Sequence, residues 1–248
     1  MNAHTLVDLA VRALKHPGDY VTALRKHELR FERCVRESEL VYSFYFAPKD
    51  RFRWRSGQHG IFTLTSKEAA EDPTRIFSIA SATSENYIQI GTVIPPKPSL
   101  FKTQLKALEP GDRVLLRGPI GEFHLPHKPA HIVGVAGGIG ITPFRALLKE
   151  LVNQQRTDIQ IDLLYGSAPD ARTFADELTE WASLPNITVT YPNGKEDLQS
   201  RLIEAATTLG NTACYYLSGA PRMIEELRVL LIKQKIKHII NDPFRGYS

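Results

Sequence analysis

The chain has 248 residues, of which 42% are hydrophobic and 23% charged, with a formal net charge of +4. That length accommodates one large domain or two modest ones, and the composition is that of a globular protein rather than a disordered or fibrous one. The basic residues are scattered and lack aromatic interleaving or a helix-turn-helix pattern, which argues against nucleic acid as a partner. Cys34 and Cys214 are far apart and match no metal-ligand spacing, so no disulfide framework, metal site or iron–sulfur cluster is expected, and a reducing, cytoplasmic compartment fits. No apolar run approaches the roughly 20 residues of a membrane span. The N-terminus has no basic patch followed by the apolar core of a secretory signal.

Leu6, Leu9, Ala10, Ala13 and Leu14 recur at intervals of three and four, which predicts an amphipathic helix with Thr5 and Asp8 as its cap pair and Pro17-Gly18 as its stop. Residues 1–23 are therefore read as a helical extension. From Leu29 onward, short segments alternate polar and apolar residues and are separated by Gly, Pro, Asp and Ser, which predicts an antiparallel barrel over residues 24–128. Pro95-Pro96-Lys97-Pro98 is a stiff connection, and Ser99 caps a helix running to about Leu108. Residues 113–117 form one more strand, with Gly118-Pro119-Ile120-Gly121 as a turn. His127-Lys128-Pro129 is the expected linker, because the period changes beyond it.

Residues 129–248 alternate strand and helix: 132–136, 143–154, 159–165, 174–182, 187–190, 197–206, 214–218 and 222–235. That rhythm predicts a parallel sheet with helices on both faces. The richest stretch joins its first strand to its first helix. Gly137, Gly138 and Gly140 form a tight turn, and Thr142-Pro143 opens the helix with a hydroxyl cap and a proline at the first helical position. The unpaired amides of the first turn point back at the glycines and make a seat for a phosphate. Pro143 stands where the full dinucleotide fingerprint has its last glycine, so the motif alone leaves a phosphate ligand and a plain crossover turn equally open. Ligands of such sheets sit beyond the carboxyl ends of the strands, so residues 137–142, Gly166-Ser167 and Gly219-Ala220-Pro221 should converge on one crevice.

Four elements occur in a telling order: Arg75-Ile76-Phe77-Ser78, then residues 118–123, then residues 137–143, then Gly219-Ala220-Pro221-Arg222-Met223. Together they resemble the ferredoxin–NADP reductase-like flavoproteins, from about Leu24 to the C-terminus. The resemblance implies two domains, an antiparallel Greek-key flavin-binding β-barrel followed by an α/β parallel-sheet nicotinamide-binding domain. It implies that Arg75 pairs with a flavin phosphate, that Ile76 and Phe77 line the flavin, and that Ser78 hydrogen-bonds near flavin N5. Phe77 stands where tyrosine is usual, so the ring face is kept and one hydroxyl is lost, worth about 1 kcal/mol. Gln58 and His59 fall on the strand facing the flavin and Gly91 and Thr92 on the next, all through backbone contacts. Ser99, with Lys97 or Lys102, stands at the expected pyrophosphate position, which favours FAD, with FMN as the alternative.

On the nicotinamide side, the same resemblance makes Gly138, Gly140 and Thr142 the pyrophosphate turn and puts Gly219 beside the dinucleotide. It makes Ser167 with Arg172, helped by Lys195, a reader of a 2'-phosphate. Asp170 and Asp176 oppose that reading, so NADPH and NADH both stand as substrates. Ser218 takes the place of a cysteine beside the nicotinamide, and either Tyr247 or Phe244 in the aromatic tail covers the flavin, with Tyr247 preferred. The implied reaction passes hydride from nicotinamide C4 to flavin N5, with Ser78, Ser218 and Tyr247 around the reacting atoms, and proximity rather than acid–base chemistry carries it. Electrons then go to a ferredoxin, a flavodoxin or an oxygenase component. The competing expectations are a flavoprotein subunit or regulatory module of a larger redox complex, and a binding protein without redox turnover.

Overall fold

The computed structural model describes residues 25–65, 73–128 and 130–243. The N-terminal helix expected over residues 1–23, and both Phe244 and Tyr247, lie outside the described residues.

The first sheet holds β1 (Lys26–Arg36), β2 (Val41–Pro48), β3 (His59–Leu64), β4 (Thr74–Ser78), β5 (Ile88–Val93) and β6 (Arg113–Ile120). Its order is β4-β3-β6-β1-β2-β5, and every pairing is antiparallel. Alternation puts Leu29, Phe44, Phe46, Phe62 and Leu116 on one buried face, where Phe101 and Leu105 of α1 (Leu100–Lys106) cover them. The expected closed Greek-key barrel is corrected to an open half-barrel, with β4 and β5 as its two edges. The reason is the brevity of β4. Beyond its last residue a main-chain bond from Ala80 N–H to Gln89 O (2.7 Å) reaches β5, but among the described residues no β4–β5 ladder forms. The turn expected at residues 118–121 is also revised, since β6 runs on to Ile120 and bends where Gly118 takes a φ of 110°.

The second sheet is parallel and ordered β11-β10-β7-β8-β9, with β7 (Ala130–Gly137), β8 (Ile159–Gly166), β9 (Ile187–Thr190), β10 (Ala213–Gly219) and β11 (Ile239–Pro243). Both faces are covered, which explains the near-continuous apolar wording of its inner strands. On one face Ile132, Ile161 and Tyr216 meet Phe144 and Leu147 of α2 (Ile141–Asn153) and Trp181 of α3 (Ala175–Trp181). On the other, Val133, Val135 and Leu217 meet Leu198 and Leu202 of α4 (Gly194–Leu209) and Leu227 and Leu231 of α5 (Pro221–Lys233). The last strand was not anticipated; Ile239 and Ile240 continue the sheet beside Tyr215 and Tyr216.

The two sheets meet along a packed seam. Phe123, just past β6, sits edge-on to Phe144 (5.1 Å between centroids) and Tyr216 (5.0 Å), and the Tyr216 hydroxyl donates to His124 O at 2.8 Å. Ala80, beyond β4, belongs to the same buried cluster.

Candidate functional site

The second sheet reverses its winding between β7 and β10, so the carboxyl ends of these neighbours form its topological switch point. The two turn glycines do different work there. A side chain on Gly140 would put its Cβ 2.4 Å from Ser218 O, so this glycine exists to let α2 start close against β10. Gly138 has a φ of 52°, and a Cβ there would have none of the described residues within 4 Å, so it is the one that leaves room for a ligand. Gly219 has a φ of 149° and lies against Gly137 and Met223.

Thr142 is not the expected cap. The helix begins at Ile141 after a short 3-10 turn over Gly138–Gly140, and the Thr142 hydroxyl donates back to Ile139 O at 2.9 Å. Pro143 is accordingly the third helical residue rather than the first, still within the turn whose amides lack partners. Ser218 is fully buried, and its Oγ has no hydrogen-bond partner among the described residues.

The end of β4 meets this switch point through one side chain. Ser78 is buried and donates its hydroxyl to Asp242 Oδ2 at 2.5 Å. Asp242 lies on β11 in register with Ser218, so one carboxylate connects the edge of the first sheet to the edge of the second. His59 pairs with Ser78 across β3 and β4, and its Nδ1 is 3.7 Å from Asp242 Oδ1. The His59 side chain, expected to be uninformative, is thus part of the site. Gly91 of β5 lies opposite, where a Cβ would fall 2.8 Å from the Thr142 methyl; Thr92 beside it is buried.

Around β4 the expected flavin residues separate. Phe77 packs into the core with Phe62 (5.7 Å) and Phe101 (6.0 Å), while Ile76 is exposed on the other face of the strand. Arg75 holds its guanidinium 5.2 Å from the centre of the Phe101 ring and donates to Thr74 O. Burial, with the Arg75 charge adding to it, lowers the pKa of Lys102 on α1, so strand and helix bring two cations to one patch. Ser99 caps α1 through a long contact of 3.5 Å from Lys102 N–H, and Lys97 is exposed.

A cleft of about 790 Å³ lies beyond the carboxyl end of β8. It gathers Ser167, Arg172 and Lys195, as expected, and adds Tyr191, Arg222 and Glu226. The Arg172 guanidinium stacks 3.9 Å above the Tyr191 ring, and both residues line the cleft. Lys195 and Arg222 both bind Glu226, at 2.6 and 3.1 Å, and these bonds lower the Glu226 pKa. Asp170 and Asp176, the anions expected to interfere, do not line the cleft; Glu226 does. Sequence reading also missed Asp242, because an acidic residue near the C-terminus carries no signal until β11 is known to pair with β10. Among the described residues no helix is long and apolar enough to cross a membrane.

Residues 135–228 match the family described as the oxidoreductase NAD-binding domain. A Plasmodium falciparum ferredoxin–NADP+ reductase structure with 2'P-AMP superposes with a TM-score of 0.75 at 19% identity, covering 90% of this chain and 98% of that one. The flavohem-like FAD/NAD binding domain of a Vibrio cholerae nitric oxide dioxygenase gives 0.71 at 20% identity, covering 88% and 98%. The chain has the ferredoxin–NADP reductase-like fold. Among curated relatives of this chain, the toluate 1,2-dioxygenase electron transfer component of Pseudomonas putida is 26% identical over 83% of this chain and 62% of its own length. The flavohemoprotein of Rhodopirellula baltica is 30% identical over 62% of this chain and 40% of its own. The chain therefore spans less than two thirds of the length of either relative.

Proposed function

We propose that this chain is a flavin-dependent NAD(P)H oxidoreductase that passes electrons to a separate carrier. The observation that carries the reading is the Ser78–Asp242 bond, which brings the flavin-side strand to the mouth of the dinucleotide switch point. The residues present fit a flavin. Arg75 and Lys102 supply paired cations for a pyrophosphate, which favours FAD over FMN, and the buried, unpartnered Ser218 hydroxyl calls for a polar neighbour. A bound flavin supplies an N5 that accepts hydride and a ring that hands electrons on one at a time.

The chain's own residues do the rest. Gly138 leaves space for a pyrophosphate at the start of α2, and Ser218 and Gly219 border the nicotinamide position. Ser78 would neighbour flavin N5, with its hydroxyl held by Asp242, which also lies beside His59. The roles of Ile76, Phe77, Gly91, Thr92, Ser99 and Tyr247 belong to the same reading. Arg172, Ser167 and Lys195 converge in one cleft and favour NADPH, with NADH as the alternative. A carrier of the ferredoxin, flavodoxin or oxygenase-component type suits this chemistry, and two free cysteines suit a reducing cytoplasm.

The second reading, a flavoprotein arm of a larger redox complex, is favoured by the greater length of the curated relatives. The deciding experiment is a visible spectrum of purified full-length chain loaded with FAD or FMN, followed anaerobically as NADPH or NADH is added. Bleaching of the flavin bands is expected; a chain that cannot be loaded rejects both redox readings.

A further inference from the structure

One residue commits every donor it has at the seam, three of them across it. Arg145 lies on α2 and is 4% exposed. Its Nε donates to Glu177 Oε2 (2.8 Å), one terminal nitrogen to Glu85 Oε2 (2.7 Å) and Ala80 O (3.0 Å), and the other to Glu85 Oε1 (3.1 Å) and Glu177 Oε1 (2.6 Å). A guanidinium has five N–H groups, so none is left over. Glu177 belongs to α3 in the same domain, but Glu85 and Ala80 belong to the first domain. Glu85 is held there in turn by Ala82 N–H (2.7 Å) and the Tyr87 hydroxyl (2.6 Å).

The positions of the two ends matter more than the bond count. On one side, Ala80 is two residues beyond Ser78. On the other, Arg145 is three residues, one helical turn, beyond Thr142 and the phosphate turn. α2 also reaches the first domain through Glu150 to Ser56 (3.0 Å) and Asn153 to Ser84 (2.8 Å), but neither contact is a buried ion pair. The Phe123 wedge holds the linker end of the seam and the Ser78–Asp242 bond ties the sheet edges, but ring-on-ring contact by itself sets no orientation.

We propose that Arg145, through Glu85, is the positioning residue that sets the angle between the domains and thereby the reach from the dinucleotide turn to the flavin strand. The proposal rests on the oxidoreductase reading for its kinetic consequence but not for its geometric one. A bidentate pair on each side of one planar group fixes orientation as well as distance. Hydride transfer depends on approach of a few tenths of an ångström, so a loosened angle slows transfer without touching a ligand contact.

The test compares Glu85→Gln, which breaks the pair across the seam, with Glu177→Gln, which breaks a pair inside one domain. Flavin reduction by NADPH is followed anaerobically with light and C4-deuterated nicotinamide. In parallel, nitroxides at Cys34 and Glu204→Cys, in a Cys214→Ser background, report the interdomain distance in full-length chain. For Glu85→Gln we expect hydride transfer to fall at least about tenfold, with dinucleotide affinity and flavin content unchanged and a broadened distance distribution. Glu177→Gln should keep both the rate and the narrow distribution. If Glu85→Gln does not fold, Arg145→Lys, which keeps the charge but loses the fork, carries the same expectation. Equal behaviour of the two glutamate variants overturns the proposal, as does a narrow distribution in Glu85→Gln. A wild-type chain that takes no flavin removes the oxidoreductase reading while the distance measurement still judges the joint.

Discussion

Gly138 and Gly140 are two residues apart in one motif, yet substitution by alanine should fail in different ways. At Gly140 the φ is ordinary, but the new Cβ would sit 2.4 Å from Ser218 O and 2.6 Å from Ser218 C, both main-chain atoms of a central strand. Ordinary contact begins near 3.4 Å, so α2 and β10 must part by about 1 Å. Overpacking of this kind costs about 1–3 kcal/mol, here at the upper end because the backbone cannot rotate away. A stiffer unfolded chain returns about 0.4–1 kcal/mol. The net loss of about 2 kcal/mol corresponds to a melting point lower by about 4–8 °C for a chain of this size. At Gly138 nothing obstructs the Cβ, and the cost is the left-handed φ, about 1–2 kcal/mol before the same offset. That methyl, however, enters the space left for the phosphates, so Gly138→Ala should weaken dinucleotide binding at least about tenfold, or 1.4 kcal/mol, with little thermal penalty. Differential scanning calorimetry of the ligand-free chain and dinucleotide titration read the two effects separately. Refutation would be Gly140→Ala melting within about 1 °C of wild type, or Gly138→Ala binding NADPH as tightly as wild type.

Arg75→Ala should lower flavin retention by about 10- to 100-fold, the worth of one charge-assisted hydrogen-bond pair, measured by flavin release on dilution. Glu226→Gln frees Lys195 and Arg222 in the cleft beyond β8, so the ratio of affinities for 2'-phospho-AMP over AMP should rise by calorimetric titration; an unchanged ratio would separate that cleft from phosphate reading. Acid should expose the Glu85 pair. Burial alone would raise the Glu85 pKa, but the Arg145 bonds and charge outweigh it and bring it below 4.5. A carboxylate depressed in the folded state contributes stability above its unfolded pKa and loses it as pH falls through the folded one. The gap in urea stability between wild type and Glu85→Gln should therefore be full at neutral pH and close below about pH 4.5.

Much of the second domain was legible because its signals are local. Apolar runs, helical stripes and glycine turns placed its first four strands and four helices within a few residues, and their order located the switch point at β7 and β10, while the cleft beyond β8 gathers Gly166, Ser167 and Ala220 without residues 137–142. The first sheet was read as short antiparallel strands but not as open, since closure depends on whether β4 outlasts Ser78, which the alternation of Phe77, Ile79 and Ala80 does not reveal. Thr142-Pro143 looked like a cap because a hydroxyl before a proline usually is one; a preceding 3-10 turn moved the helix start two residues back. Asp242, Glu85 and Arg145 were invisible for another reason. Each gains meaning from a partner more than 50 residues away, and a lone charged residue in a sequence reads as solvated surface until the partner is placed.

The seam between the domains shows why both kinds of contact are present. Phe123 against Phe144 and Tyr216 removes apolar area from water, but ring-on-ring contact tolerates small rotations at little cost. The buried Arg145 tolerates less, because a tilt loosens the three bonds it sends to Glu85 and Ala80, and an unmatched charge at 4% exposure is costly. Burying an ion pair is a poor route to stability compared with another apolar contact. Its presence one turn behind the phosphate seat is explained by direction rather than by energy: the wedge brings the domains together, and the arginine decides at what angle they stay.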